Sequence, residues 1–252
     1  MKERIAIVTG AASGIGKAVA ETLASANHNV VVADLNAAGG QAVADAVGGL
    51  FVPVDLANRE DCHRLVEAAW ERYGTVHILV NNAAFQHIDP IDEFPEDVWD
   101  KMLAVLLTAP FLLTRYVWPA MKGQGWGRIV NIGSRQSERA TPFKVAYVTA
   151  KHGLLGLTKV AALEGGPHGI TANAVLPTWT RTALVEKQIA DQARTRQIPE
   201  SEVIERVMLS GRPIRRLLEP EEVAKLVLFL CSDDAAAITG SSYRIDLGAA
   251  IS

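Results

Sequence analysis

Cysteine is scarce in this chain, with two in 252 residues. Cys62 and Cys231 are too few for a disulfide framework, and both are expected to be reduced, incidental thiols. Neither sign of charge dominates: Lys and Arg total 25 against 28 Asp and Glu, a formal net charge of -3. No Lys/Arg cluster stands out, which argues against nucleic acid or an anionic membrane surface as partner. Long apolar runs are also missing. The longest, Met102 to Leu113, contains Thr108 and Pro110 and falls short of the roughly 20 residues that span a bilayer. Met1 to Arg4 is charged and no apolar leader core follows, so the cytoplasm is the expected location. There is no internal repeat, low-complexity tract or Pro/Gly/Ser linker, so residues 1–252 are expected to form a single domain. No metal site is expected.

What is present is ordinary for a soluble globule: 49% apolar and 21% charged residues, in a chain long enough to bury a large core without staples. Seven short apolar runs stand out: Ile5–Val8, Val30–Ala33, Leu50–Val52, Ile78–Val80, Ile129–Ile132, Ala172–Leu176 and Tyr243–Ile245. Most are apolar on consecutive positions, as in strands covered on both faces. Helical patterns separate them, among them Ile15–Ala26, Asp61–Tyr73, Val98–Met121, Ala146–Glu164 and Pro220–Ser232. The alternation predicts an α/β fold: a doubly wound, parallel seven-stranded sheet of Rossmann type with helices on both faces. Residues 178–219 break the rhythm with many charges and with Pro199 and Pro213. They follow a strand end, where such sheets bind ligands. The segment reads as a substrate lid or as a helical excursion used for subunit contact.

The strand Ile5–Thr9 runs into Gly10-Ala11-Ala12-Ser13-Gly14-Ile15-Gly16, and a helix opens there. Gly10 permits a tight turn, Gly14 lets backbone approach a pyrophosphate, and Gly16 lets helix and strand pack closely. The helix N-terminus offers free N–H groups and partial positive charge to phosphates. With strand before and helix after, the pattern indicates a dinucleotide site. Asp34 ends the second strand, where a carboxylate accepts hydrogen bonds from an adenosine ribose 2′-OH and repels a 2′-phosphate. No basic residue replaces Ser13 or directly follows Asp34; Leu35 comes next. The expected cofactor is therefore NAD rather than NADP. The alternative role for Asp34 is a helix N-cap.

Tyr147 and Lys151 share a helix face at a spacing of four. An ammonium beside a phenol favours the phenolate and lowers its pKa, which would make Tyr147 an acid–base group for an alcohol/ketone pair. Ser134, just past the strand at Ile129–Ile132, can donate to a substrate oxygen where charge develops.

Thr9–Gly16, Asp55-Leu56, Asn81-Asn82-Ala83, Ser134, Tyr147-x-x-x-Lys151, Pro177 with Thr182, and Ile238-Thr239-Gly240 together resemble the short-chain dehydrogenase/reductase family over nearly the whole chain. The resemblance implies that Ser134 polarises the substrate oxygen and Tyr147 exchanges its proton. Lys151 would hold the nicotinamide ribose and depress the tyrosine pKa. It places Asp55 at the adenine amino group, Asn82 near the ribose and Thr182 at the carboxamide, with Leu56, Ala83, Pro177 and Thr180 also binding the cofactor. It also implies a homotetramer. A narrower likeness, to the group within the family that acts on D-3-hydroxybutyrate, rests on Phe85-Gln86-His87, Lys144-Val145-Ala146-Tyr147 and the stretch Arg181 to Ile189. It implies that Gln86, Lys144 and Gln188 hold a substrate carboxylate, with Gln136 standing where that group has histidine. Lys144 reads alternatively as a solvated loop residue, and Gln188 as helix surface.

The chain departs from the family in places. Ala84 and Thr178 replace glycines, and Leu247 stands in a usual glycine position. Leu106 replaces an asparagine that breaks helix bonding and positions a water behind the lysine. Leucine has no polar atom, so the helix is expected to run straight there. Three functions follow from these residues. The first is an NAD-dependent dehydrogenase of a short 3-hydroxy acid, with a small, anionic substrate. The second is a ketoreductase or dehydrogenase of another small alcohol. The third is a dinucleotide-binding protein with little catalysis.

Overall fold

A computed structural model of the chain describes residues 3–250. Seven parallel strands form one sheet: β1 (Ile5–Thr9), β2 (Asn29–Asp34), β3 (Leu50–Pro53), β4 (Ile78–Asn81), β5 (Gly127–Ile132), β6 (Ile170–Pro177) and β7 (Ser242–Ile245), in the order β3-β2-β1-β4-β5-β6-β7. The order reverses between β1 and β4, and that switch point opens a crevice at the strands' carboxyl ends. All residues of β1, β4, β5 and β6 are buried, which is why these strands read as continuous apolar runs rather than alternating ones.

The helices are α1 (Gly14–Ser25), α2 (Ala37–Val47), α3 (Arg59–Tyr73), α4 (Glu96–Leu103), α5 (Ala109–Gln124), α6 (Val145–Gly165), α7 (Ala183–Glu186), α8 (Gln188–Arg196), α9 (Glu200–Val203) and α10 (Pro220–Leu230). Two cores form on opposite faces of the sheet. One gathers Val8, Val19, Leu23 and Val80 with Val223 and Val227 of α10; the other gathers Ile7, Leu65 and Leu79 with Leu113 and Val117 of α5.

The sequence reading names no helix between Asp34 and Leu50, and Gly39 and Gly40 weaken the intrinsic propensity there. Tertiary packing overrides it. Val43 and Ala44 of α2 are buried, and the Asn36 side chain caps the helix by accepting from Gly39 N at 3.1 Å. The cap is thus Asn36, not Asp34.

The expectation of a straight helix at Leu106 is wrong. A π turn, Ala104–Thr108, joins α4 to α5, and Ala109 N donates to Ala104 O. Leu106, 1% exposed, packs with Met102, Ala146 and Ala150 under the start of α6. The backbone therefore widens without a polar side chain, and packing on α6 provides the physical reason. The continuous helix, Glu96–Gln124, is longer than the apolar run within it. By length and composition it is able to cross a membrane, but Met102, Leu106, Leu113 and Val117 are buried among the other helices.

Thr178 has no positive φ, so loss of a glycine there creates no left-handed strain; Leu247, in contrast, adopts φ 58. That is an unfavourable region for a residue with a Cβ.

Candidate active site

A cleft of about 980 Å³ opens at the switch point. Every residue assigned to the site from sequence lines it except Gly16, which lies beneath the glycine-rich turn. A Cβ on Gly16 would stand 2.2 Å from Gly10 O, so this position serves helix–strand packing. Gly10 turns at φ 64 and Gly14 at φ 55. The turn is fastened from both sides. Asp34 Oδ2 accepts from Ala12 N at 2.9 Å, and Asn82 Nδ2 donates to Thr9 O at 2.8 Å and Gly10 O at 3.1 Å. Thr9 Oγ1 accepts from Asn82 N and Ala83 N. The Asn82 amide is therefore engaged with the turn itself.

Ser13 caps α1 without a side-chain hydrogen bond, and no acidic side chain occupies the helix's first turn. The N-terminus consequently keeps free donors facing the cleft, as an anion site requires. Thr182 Cγ2 approaches within 3.0 Å of where a Gly14 Cβ would lie, so the far wall of the cleft reaches the phosphate turn. Leu35, Asp55 and Leu56 line one end, and Ser134, Tyr147 and Lys151 the other. A nicotinamide dinucleotide fits this donor set: phosphates at Ser13–Ile15, adenosine between Asp34 and Asp55, and the reacting ring toward Tyr147.

The catalytic end is built on β5 and α6. A buried polar chain ties them together: Asn81 Nδ2 donates to Asn131 Oδ1, Asn131 Nδ2 to Thr158 Oγ1, and Thr158 Oγ1 to Leu154 O. It joins β4, β5 and α6. Ser134 follows β5; its Oγ donates to Gln136 Oε1 and accepts from Gln136 N, each at 3.2 Å. Gln136 Nε2 in turn donates to Thr141 Oγ1. Lys151 is buried and donates to Ile132 O at 2.6 Å, with Nζ 5.7 Å from the Tyr147 ring centre. Burial lowers its pKa to about 8.

The expected lowering of the Tyr147 pKa is not what the structure shows. Burial pushes the phenol up, opposed by a hydrogen bond with Ser134. The reason is the burial of the lysine itself: with its pKa brought to about 8, Lys151 is already neutral at the pH where the phenol ionises, and so does not offset the burial of Tyr147.

Lys144 is neither solvated nor loose. It is 2% exposed, donates to Gln188 Oε1 at 2.8 Å and lies 4.7 Å above the Trp179 ring. Burial, aided by the charge of Arg196, brings its pKa to about 7. Gln188 is also buried, and its Nε2 donates to Leu184 O. Gln86 lines the same region and donates to His87 O. Trp179, Thr141 and Arg196 line the cleft as well, and none was named from sequence. Arg196 was legible in principle: with Gln188 and Gln192 it forms an i, i+4, i+8 row on α8. The late Ile238-Thr239-Gly240 motif is structural. Thr239 Oγ1 accepts from Ala172 N, and Ile238 O accepts from Asn173 Nδ2, pinning the approach to β7 onto β6.

Comparison with known proteins identifies the family. A family model described as enoyl-(acyl carrier protein) reductase matches residues 10–250. A D-beta-hydroxybutyrate dehydrogenase of Rhizobium meliloti is 44% identical, covering 97% of this chain and 98% of its own. Another D-beta-hydroxybutyrate dehydrogenase, from Cupriavidus necator, is 38% identical over 97% of each chain. A crystal structure described as a ribose-5-phosphate isomerase from Brucella melitensis 16M superposes with a TM-score of 0.89 at 32% identity, covering 98% of this chain and 92% of that one. The chain belongs to the short-chain dehydrogenase/reductase family, whose dehydrogenases use nicotinamide dinucleotides, and is an oxidoreductase acting on hydroxyl groups.

Proposed function

We propose that the chain is an NAD(H)-dependent dehydrogenase interconverting a short 3-hydroxy acid, of the size of 3-hydroxybutyrate, and its 3-keto acid. The observation that carries this reading is Lys144, a buried cation in the cleft with Ser134 and Tyr147, whose hydrogen-bond partner is a neutral amide. A small carboxylate would supply the missing charge, with Gln86, Gln136 and Gln188 as amide partners. The two relatives described as D-beta-hydroxybutyrate dehydrogenases support it.

In this reading the Ser134 hydroxyl donates to the substrate oxygen. Tyr147 gives its proton to the ketone oxygen or takes it from the alcohol. A raised phenol pKa keeps Tyr147 protonated at neutral pH, which suits reduction; higher pH favours oxidation. Lys151 holds the ribose and lends positive charge to the proton transfer. A bound nicotinamide supplies the two-electron exchange at the carbinol carbon. Asp34, held by Ala12 N and Asn36 N, favours NAD because a 2′-phosphate would meet a fixed carboxylate.

Residues 178–219 serve as the substrate lid, carrying Trp179, Gln188 and Arg196 to the cleft. The proposal includes a cytoplasmic homotetramer with neither nucleic acid nor membrane as partner. Exposed Phe111 on α5 and Val160 and Leu163 on α6 support self-association. The depressed Lys144 pKa favours a second reading, another small alcohol, because the pocket loses charge above pH 7. Retention of Ser134, Tyr147 and Lys151 in one cleft argues against a non-catalytic binder. Following NADH absorbance with a panel of 3-hydroxy acids and neutral secondary alcohols tests the proposal. Turnover of neutral alcohols alone would refute it.

A further inference from the structure

Past Lys144 the cleft continues along α8 and the π turn Ile204–Met208, where Arg196, Ile198, Arg206 and Ser210 line it. Arg206 is neutralised there by Glu202 at 2.5 Å. Arg196 is not neutralised. Its Nη1 is buried with no hydrogen-bond partner, and its guanidinium carbon lies 5.7 Å from the ring of Phe143, the residue preceding Lys144. On the same face of α8, Gln188 holds Lys144 and Gln192 is completely buried with both amide atoms unpartnered. Among the described residues the carboxylates lining the cleft are Asp34 and Asp55, both at the ends of β2 and β3. Past Ser134 and Tyr147 the cleft thus holds buried Lys144 and half-buried Arg196 as neighbouring cations with no carboxylate lining beside them. Their mutual repulsion is part of what depresses Lys144.

Leaving the buried charge of Lys144 unpaired is expensive, and the like charge of half-buried Arg196 beside it adds to the cost. A monocarboxylate would satisfy Lys144 and leave Arg196 as it is. A ligand with a negative group at each end would neutralise both, and the second group would sit where the cleft extends beyond Lys144. We infer that Arg196 is a specificity-determining residue, and that with Lys144 it fits the pocket to a hydroxy acid bearing a second anionic group. The inference rests on the 3-hydroxy acid reading and narrows its substrate class to dianions.

The test compares 3-hydroxyglutarate with 3-hydroxybutyrate at fixed NAD. In the unmutated protein kcat/KM should favour the dicarboxylate by about tenfold or more, the scale of one charge-assisted hydrogen bond. Arg196→Gln should remove at least fivefold of that ratio, and Arg196→Lys should keep most of it. A ratio at or below one in the unmutated protein, or a smaller loss in Arg196→Gln, overturns the inference while leaving the 3-hydroxy acid reading intact. Failure of both acids beside turnover of 2-butanol overturns the reading itself. If the glutamine variant does not fold, competitive inhibition of the unmutated protein decides. Glutarate should inhibit more tightly than butyrate, and equal inhibition constants count against a second anion site.

Discussion

The Lys144 ammonium and the Gln188 amide oxygen meet at 2.8 Å, joining the loop that enters α6 to the first turn of α8. One hydrogen bond therefore links the residue three before Tyr147 to the 178–219 segment. The Lys144 pKa of about 7 reflects burial first and Arg196 second. Below that value the lysine is charged, and above it neutral, so KM for 3-hydroxy acids should rise as pH increases through about 7. KM for neutral secondary alcohols should stay flat. Lys144→Ala should raise KM for acids more than for neutral alcohols, and steady-state kinetics at pH 6 and 9 with both substrate types checks this.

The same lysine affects stability. Its folded pKa lies below the unfolded value of about 10.4, so the unfolded state binds the extra proton between the two. Stability should consequently rise with pH from about 7 to about 10. The penalty from burying the charge is fully present below pH 7. Lys144→Met should flatten that rise, by a few kcal/mol at most. Denaturant unfolding at pH 7 and 10 measures it, and an unchanged slope would mean the ammonium is solvated in the native state.

Tyr147→Phe removes the exchangeable proton and keeps the ring. Turnover should fall by about a thousandfold or more, while NADH still binds. Because the phenol of the unmutated protein is raised by burial, its rate of alcohol oxidation should climb with pH. Loss of NADH binding in the variant, seen by fluorescence titration, would assign Tyr147 a structural role.

Asp34 holds the glycine-rich turn through Ala12 N and faces the cleft. NAD should outperform NADP in kcat/KM, and Asp34→Ala should narrow the gap mainly by weakening NAD. Because the carboxylate also fastens the turn, the variant should lose some stability. Equal use of both cofactors by the unmutated protein would sink this prediction.

Leu106 is a core residue of the π turn, and does not line the cleft. Leu106→Ala should destabilise by about 2–5 kcal/mol. Leu106→Asn should also destabilise, since a buried amide there must find partners. Turnover per folded molecule should stay within about twofold for both, because neither change touches the reacting groups. A several-fold gain in Leu106→Asn would instead point to a proton route through this position.

The strands, most of the helices, the phosphate turn and the Tyr147–Lys151 pair are legible in the chain because their signals are local, whereas Thr141 and Trp179 reach the cleft without such a signal. Continuous apolar runs mark doubly covered strands, a glycine-rich turn between strand and helix marks the phosphate site, and a spacing of four puts Tyr147 and Lys151 on one face. The signal for α2 is weaker, because Gly39 and Gly40 dilute a helix that owes its formation to buried Val43 and Ala44.

What the sequence determined by itself was the doubly wound architecture, the glycine-rich phosphate turn and the pairing of Tyr147 with Lys151, since periodicity, turn chemistry and right-handed crossovers leave little freedom, while the wider set of cleft side chains followed from the family resemblance. Only the tertiary structure decided how those side chains are used. It turned Asn82 onto the glycine turn, aimed Lys151 at Ile132 O, kept the π turn with leucine in it, and buried Lys144 beside Arg196. Each of these depends on which groups pack together across long sequence separations, because burial and neighbouring charge, rather than residue type, decide where a hydrogen bond goes and whether a group keeps its proton.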